Sequence, residues 1–321
     1  MPMCAIGTWP TAPSAPRRII LALIAITHSV AATNDWMAPA DSSKLAVPLG
    51  LRDLTQKISA CALPGMALDF EAFITCMNSA VDKGFVDKGH ARLVAEGLRH
   101  GFDLGVDTSA LQGGRIFDNY ESATNAAARE AVSKAINERV LAKKTISLGL
   151  WSVELRAALH SVFGDFTIFP LGAVPKRDSH GEVRPISDHT RSGLNAATDL
   201  TSYRHSLTAA QDVARFLRRG YSFAVADVSA AFSNLPLHPN LWPHFMFRFF
   251  AAPSDDAQTL FMHLHGDYGH AAMPGAWYLF LTRVVVQMAR AVGVLTVPVA
   301  VYVDDVCVCA QTAAQADAEM A

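Results

Sequence analysis

The chain has 321 residues, 51% of them apolar, with a net charge of −2 and a mean hydropathy of +0.20. That length suits roughly two domains with a sizeable core, which excludes a disordered or solvating polypeptide, and average Gly and Pro usage excludes collagen-like and low-complexity chains. Near-neutral charge argues against coating nucleic acid by bulk charge, while a local basic groove stays open, and no run approaches the ~18 consecutive apolar residues of a membrane span.

Arg17-Arg18, the apolar run 19–26 and Ala31-Ala32 imitate a secretory signal, but the Pro-rich lead from Pro2 to Pro16 does not suit one. Residues 1–40 are therefore read as a low-order leader. Secretion through residues 17–33 is disfavoured and an intracellular location, cytoplasm or nucleus, is expected. The five cysteines, Cys4, Cys61, Cys76, Cys307 and Cys309, are odd in number and share no spacing, so no disulfide framework is expected. Cys307 and Cys309 would share one face of a strand as buried thiols.

Residues 41–160 are predicted to be a mostly helical region, possessing its own lobe. Helical spacing runs through 68–80 and 91–100. In 121–144, Ala128, Val132, Ala135, Ile136 and Val140 follow the 3.6 period, and Lys143-Lys144 fall in the last turn, where cations suit the dipole. Another helix starts near Ser152. After Gly164 the texture changes. Residues 166–174 are β-prone, 176–184 make a charged turn, and Thr208 with Gln211 forms a capping box for a helix ending at Gly220. Residues 221–228 read as a buried strand, and 245–250 with 259–264 as a hairpin. A helix runs from Pro274 to about Ala291, where Gly293 stops it. Two strands, 297–303 and 306–310, flank Asp304-Asp305. Intermixed strands and helices without βαβ alternation predict an α+β domain over 161–321.

Tyr302-Val303-Asp304-Asp305 is the informative feature. Adjacent carboxylates between two apolar strands are costly unless neutralised, and Arg290 is the only Lys or Arg from Val284 to Ala316. A hard divalent cation, Mg²⁺ or Mn²⁺, is the natural partner. Asp227 ends another apolar run, so two strands ending in carboxylate could converge on a cation pair, the arrangement used for in-line phosphoryl transfer. A Tyr-x-Asp-Asp string arises by chance in roughly one chain in 40 of this composition. Taken singly, Asp304-Asp305 reads equally as a polar hairpin turn and Asp227 as a strand-ending cap.

In order and spacing these segments resemble the reverse transcriptases of retroelements. The stretch from Ala226 to Pro239 is similar to the family's first catalytic motif, an aspartate followed five residues later by an aromatic. Tyr302 to Asp305 matches the second. The residues from Val174 to Asp188, with Arg191-Ser192-Gly193-Leu194-Asn195, resemble the fingers segment, in wording most like tyrosine-recombinase (DIRS-like) retrotransposons, and the region around Gly97 to Gly105 is similar to the part upstream. The resemblance covers roughly residues 80–321. It implies a right-hand polymerase fold, with fingers and palm in 161–321, the palm an antiparallel sheet backed by helices, truncated after the Tyr-Val-Asp-Asp motif and the thumb absent. It implies RNA-directed DNA polymerase activity, with an RNA or DNA template, a primer and dNTPs as partners and no membrane. Asp227, Asp304 and Asp305 would be catalytic and, with the Val228 carbonyl, would hold two Mg²⁺ or Mn²⁺ ions. Lys176 and Arg184 would contact the triphosphate. Phe232 would sit beneath the sugar and exclude a 2′-hydroxyl. An inactive retroelement relic, or a fragment without a thumb, is the alternative.

Other readings stand beside these. Lys176, Arg177 and Arg184 fit a solvated turn, and Phe232 fits plain core. His263, His265 and His270 read as a hairpin strand with a solvent-facing pair rather than a metal cluster. Where the family carries Leu-Pro-Gln/Phe-Gly, this chain has Ala272-Met273-Pro274-Gly275-Ala276-Trp277. Only Gly275 is assigned to nucleotide binding there, and the Gln or Phe is missing.

Overall fold

Short capping side chains and glycines set the element boundaries. The computed structural model describes residues 51–59, 70–111, 113–176, 182–206, 214–215 and 219–320. Helices α1 (Leu51–Ser59), α2 (Phe70–Asp82) and α3 (Lys88–His100) come first. The Asp87 carboxylate accepts from the His90 N–H at 3.0 Å and starts α3. Gly101 ends it at φ +90, where a Cβ would meet the backbone of Leu237 and His238 at 2.4 Å. Strand β1 is Arg115–Ile116.

The single helix predicted over 121–144 is two, α4 (Glu121–Thr124) and α5 (Ala126–Leu141). Asn125 is extended, and its side chain accepts from the Ala128 N–H at 2.9 Å. An Asx side chain offers the backbone this alternative to helix, so the break falls there. Lys143 and Lys144 consequently lie past the helix end rather than in its last turn, with Lys143 at φ +56. Strand β2 (Thr145–Leu150) then interrupts the region expected to be helical. Thr145-Ile146-Ser147-Leu148-Gly149-Leu150 sets polar or small residues in alternation with apolar ones, a period-2 strand signal that the helical reading of the region passes over. Ser152 caps α6 (Val153–Phe163), as expected.

The second half adds β3 (Thr167–Ile168), β4 (Leu171–Pro175), β5 (Val183–Ser187), β6 (Ser222–Asp227), β7 (Met246–Phe249) and β8 (Thr259–His263). Helix α7 (Met273–Tyr278) continues through a π-helical stretch, Leu279–Val285, into α8 (Val286–Ala291). Strands β9 (Val299–Tyr302) and β10 (Asp305–Ala310) and helix α9 (Ala313–Met320) follow. The helix expected from Thr208, the leader, Asp178 to Gly181, Cys4 and Cys61 lie outside the described residues.

The fold is α+β, with three sheets backed by helices. A mixed five-stranded sheet has the order β1-β3-β7-β8-β2, an antiparallel sheet the order β6-β10-β9, and β4 and β5 form a hairpin. The five-stranded sheet takes β1 and β2 from before residue 160 and the rest from after it. One core joins Phe73 and Val94 to Phe232 and Trp277. The helical region is therefore not a lobe apart. Among the described residues no helix is long and apolar enough to cross a membrane.

Strand 221–228 is buried on one face only. Ala224, Ala226 and Val306 are partly covered by apolar packing, whereas Val225 is 66% and Tyr302 51% exposed on the other face. Continuous apolar sequence concealed this alternation. Of the two strand thiols, Cys309 is buried and Cys307 half-buried, and neither is in a disulfide.

Candidate functional site

Register brings the sequence-distant carboxylates together. Antiparallel pairing sets Asp305 directly opposite Asp227, and each pair from Val306↔Ala226 to Ala310↔Ser222 keeps step. Directly opposed residues share a face with Cβ atoms about 5 Å apart, so both carboxylates stand on the open face of the sheet. Asp304 lies in the two-residue turn between β9 and β10, and its carbonyl accepts from the Val228 N–H at 2.9 Å. Burial, and after it the carboxylates of Asp227 and Asp305, push the Asp304 carboxyl above the ordinary carboxylate range, while Arg184 pulls the other way. Neighbouring like charges are what a hard divalent cation relieves, and carboxylate oxygens suit Mg²⁺ or Mn²⁺. In that chemistry the donor set fits. Among the described residues, however, no group of three or more His, Cys, Asp or Glu side chains is gathered closely enough to hold an ion as it stands.

Tyr268 joins this cluster and was missed from the sequence. Burial and the charges of Asp304 and Asp227 raise its hydroxyl pKa, while Arg184 and Arg139 act against them. Its ring packs against Phe232 at a centroid distance of 5.0 Å, and the Arg184 guanidinium stands 5.3 Å from the ring. The loop that carries it docks on β5. The Ser187 N–H donates to the Tyr268 carbonyl at 3.1 Å, and Gly269, at φ +125, sits where a Cβ would meet the Ser187 carbonyl at 1.9 Å. The sequence signal for it is an aromatic–glycine step, Tyr268-Gly269, upstream of the Ala272-to-Trp277 stretch that aligns with the family's motif.

The other sequence-derived residues divide. Arg184 and Phe232 reach the cluster through Tyr268. Phe232 is also buried in the main core, so the core reading holds for it as well. Lys176 is partnered by Glu182 at 2.7 Å across the open end of the β4–β5 hairpin, as a solvated turn would have it. Gly275 is buried in α7, where a Cβ would meet the Tyr203 carbonyl oxygen at 1.7 Å. Glycine is required there by helix packing, and the aromatic beside the carboxylates is Tyr268.

The histidines do not face solvent. His263, His265 and His270 are all buried, because they lie on β8 and the loop behind Tyr268 rather than on an outer strand. Buried Asp267 is bonded to His189 Nε2 at 3.0 Å and lies 3.6 Å from His263 Nε2. Thr145 Oγ1 meets His263 Nδ1 at 2.7 Å. Burial works against the Asp267 charge, but His189 and His263 more than offset it and hold the carboxyl well below its usual range. Arg139, reaching in from α5, donates to Ser233 Oγ and, at 3.0 Å, to the Gly266 carbonyl. It thus ties together the two backbones that carry Phe232 and Tyr268.

No protein-family model matches the chain, and no curated protein matches it.

Proposed function

We propose that the chain is the fingers and palm of an RNA-directed DNA polymerase, transferring nucleotides from dNTPs to a primer 3′-hydroxyl on an RNA or DNA template. The observation that carries this reading is the direct opposition of Asp227 and Asp305 with Asp304 in the adjoining turn. It rests as well on the resemblance of both carboxylate motifs to the reverse transcriptases. Asp227, Asp304 and Asp305, with the Val228 carbonyl, would hold two Mg²⁺ or Mn²⁺ ions. Bound there, the ions supply activation of the primer hydroxyl and stabilisation of the leaving pyrophosphate.

The chain's own residues do the rest. Asp304, with its raised carboxyl, gives up its proton more readily as positive charge arrives, so occupancy of the site strengthens with pH. Arg184, exposed beside Tyr268, presents a fork that pairs phosphate oxygens. Lys176 contributes only by exchanging its Glu182 partner for phosphate. The tilted Phe232–Tyr268 pair would bound the sugar and leave no room for a 2′-hydroxyl.

Primer extension on an RNA template with Mg²⁺ or Mn²⁺ tests the reading. Incorporation should depend on the metal and fall by a factor of 10³ or more in Asp304→Asn/Asp305→Asn, on the scale of losing a principal electrostatic stabiliser. Unchanged incorporation in that variant sinks it.

A further inference from the structure

The turn that carries Asp304 is built on a residue that resists it. Val303 has φ +56, a region that β-branched side chains avoid. Tyr302 pairs with Asp305, so Val303 and Asp304 are the two central residues. A positive φ at the first of them alone belongs to a type II′ turn, which ordinarily has glycine there. The Val303 carbonyl belongs to the central peptide of the turn, which lies between the Val303 backbone and Asp304. A bond that fixes this carbonyl therefore restrains both sides of it, the left-handed Val303 and the direction of Asp304.

That carbonyl is held. Trp277 Nε1–H donates to the Val303 oxygen at 2.8 Å. Trp277 is 2% exposed and its ring packs 5.6 Å from Phe280. With Phe280, Val285, Ala289 and Val299 it lines an apolar cavity of about 100 Å³ behind the sheet. An indole N–H buried in such surroundings needs an acceptor, and the turn provides it. At the next peptide unit, the Val228 N–H holds the Asp304 carbonyl at 2.9 Å. The turn is therefore gripped at two successive carbonyls, one by a helix side chain and one by the strand bearing Asp227.

We propose that Trp277 is a positioning residue for the carboxylate turn: its indole N–H fixes the Val303 carbonyl, and so the left-handed backbone that presents Asp304 beside Asp227 and Asp305. The backbone part of this inference stands alone, and its consequence for metal binding rests on the polymerase reading.

Three proteins test it: the parent, Trp277→Phe, and Trp277→Phe/Val303→Gly. Phenylalanine keeps most of the apolar bulk and removes the N–H. Glycine adopts a positive φ without steric cost. Two quantities are measured on the full chain: amide hydrogen exchange in peptides covering 299–310, and the Mn²⁺ dissociation constant by electron paramagnetic resonance. In Trp277→Phe, hairpin exchange should quicken about tenfold, the net worth of one hydrogen bond, and Mn²⁺ should bind about tenfold more weakly. The added glycine should return both to within about threefold of the parent, as expected where it removes the strain the indole bond had held. Parent-like hairpin exchange in Trp277→Phe overturns the inference. So does any defect that glycine leaves in place, general unfolding included, because that is loss of packing. If exchange follows the expected pattern while none of the three binds Mn²⁺, the role of Trp277 stands and the polymerase reading falls.

Discussion

Lowering the pH from 7 to 5 should remove a large part of this protein's stability. Burial presses His244 down to about 4, against the nearby Asp165. It presses His265 down to about 3, helped by Lys144 and Arg139, and His270 to about 3, helped by His189 and opposed by Asp267. An unfolded imidazole titrates near 6.5. All three folded values are depressed, so the unfolded chain takes up protons first. The stability is fully present above about pH 7 and is lost progressively as pH falls through 6.5 towards the folded values. Between pH 7 and 5 each imidazole forfeits about 2 kcal/mol, or about 6 kcal/mol together, against a typical total of about 5–15 kcal/mol. His263, held well below its ordinary value, adds to this in the same direction. Urea unfolding followed by far-ultraviolet circular dichroism at pH 7.5, 6.5 and 5.5 should give a slope of about 3–4 kcal/mol per pH unit near pH 5.5. His265→Gln/His270→Gln, which removes two of the four proton uptakes, should cut that slope by about half. A urea midpoint that stays level from pH 7.5 to 5.5 refutes the reasoning.

Phe232→Ala, at a buried ring, should cost about 3–5 kcal/mol of stability and raise ribonucleotide incorporation relative to dNTPs; equal discrimination in a folded variant removes its steric role. Gly275→Ala should lower the melting temperature through an overpacking cost of at least about 1–3 kcal/mol. Mn²⁺ affinity should be unaffected wherever that variant folds, and a selective loss of affinity would restore a ligand role to this position. Arg139→Met removes the buried hydrogen bonds to Ser233 Oγ and the Gly266 carbonyl and should destabilise by about 1–3 kcal/mol in urea, the cost of leaving buried acceptors unpaired. Adding Ser233→Ala, which removes the other partner, should cost little more, and strict additivity in that double-mutant cycle would count against the bond.

Local rules carried the sequence reading a long way. Ser152 as a cap, Pro274 in the first turn of a helix, and a tight hairpin around the paired aspartates were legible, because each depends on residues within one turn of one another; the turn itself falls one residue earlier than expected, at Val303-Asp304, with Asp305 already in β10. What failed depends on partners far along the chain. The alternation of Thr145 to Leu150 becomes a strand by pairing with β8. His263 is buried because β8 lies between β7 and β2, with Arg139 of α5 against its ring and against the His265 carbonyl. Val225 is exposed because the sheet has one open face, which an unbroken apolar run cannot announce. Of the candidate site, the three carboxylates could be named from the sequence alone, whereas Tyr268 comes into view only when β5 delivers Arg184 and Ser187 to the same loop. Gly275 shows the opposite error, a motif position whose glycine is explained by the carbonyl of Tyr203 lying against it.

The π-helical stretch Leu279–Val285 between α7 and α8 has a consequence for how this chain can vary. Bonding i to i+5 holds about one residue more than the same rise of α-helix, and each residue of an α-helix turns it by about 100°. The wider turn takes up the extra residue, so the flanking helices keep nearly the relation they would have in continuous α. Deleting one residue here would let the stretch close up as α while Trp277 and the buried Val286, Met288 and Ala289 hold about the same relative direction. A deletion inside α7 or α8 has no such reserve and would swing one buried face against the other by about 100°. The stretch is thus where this helix has slack in its length.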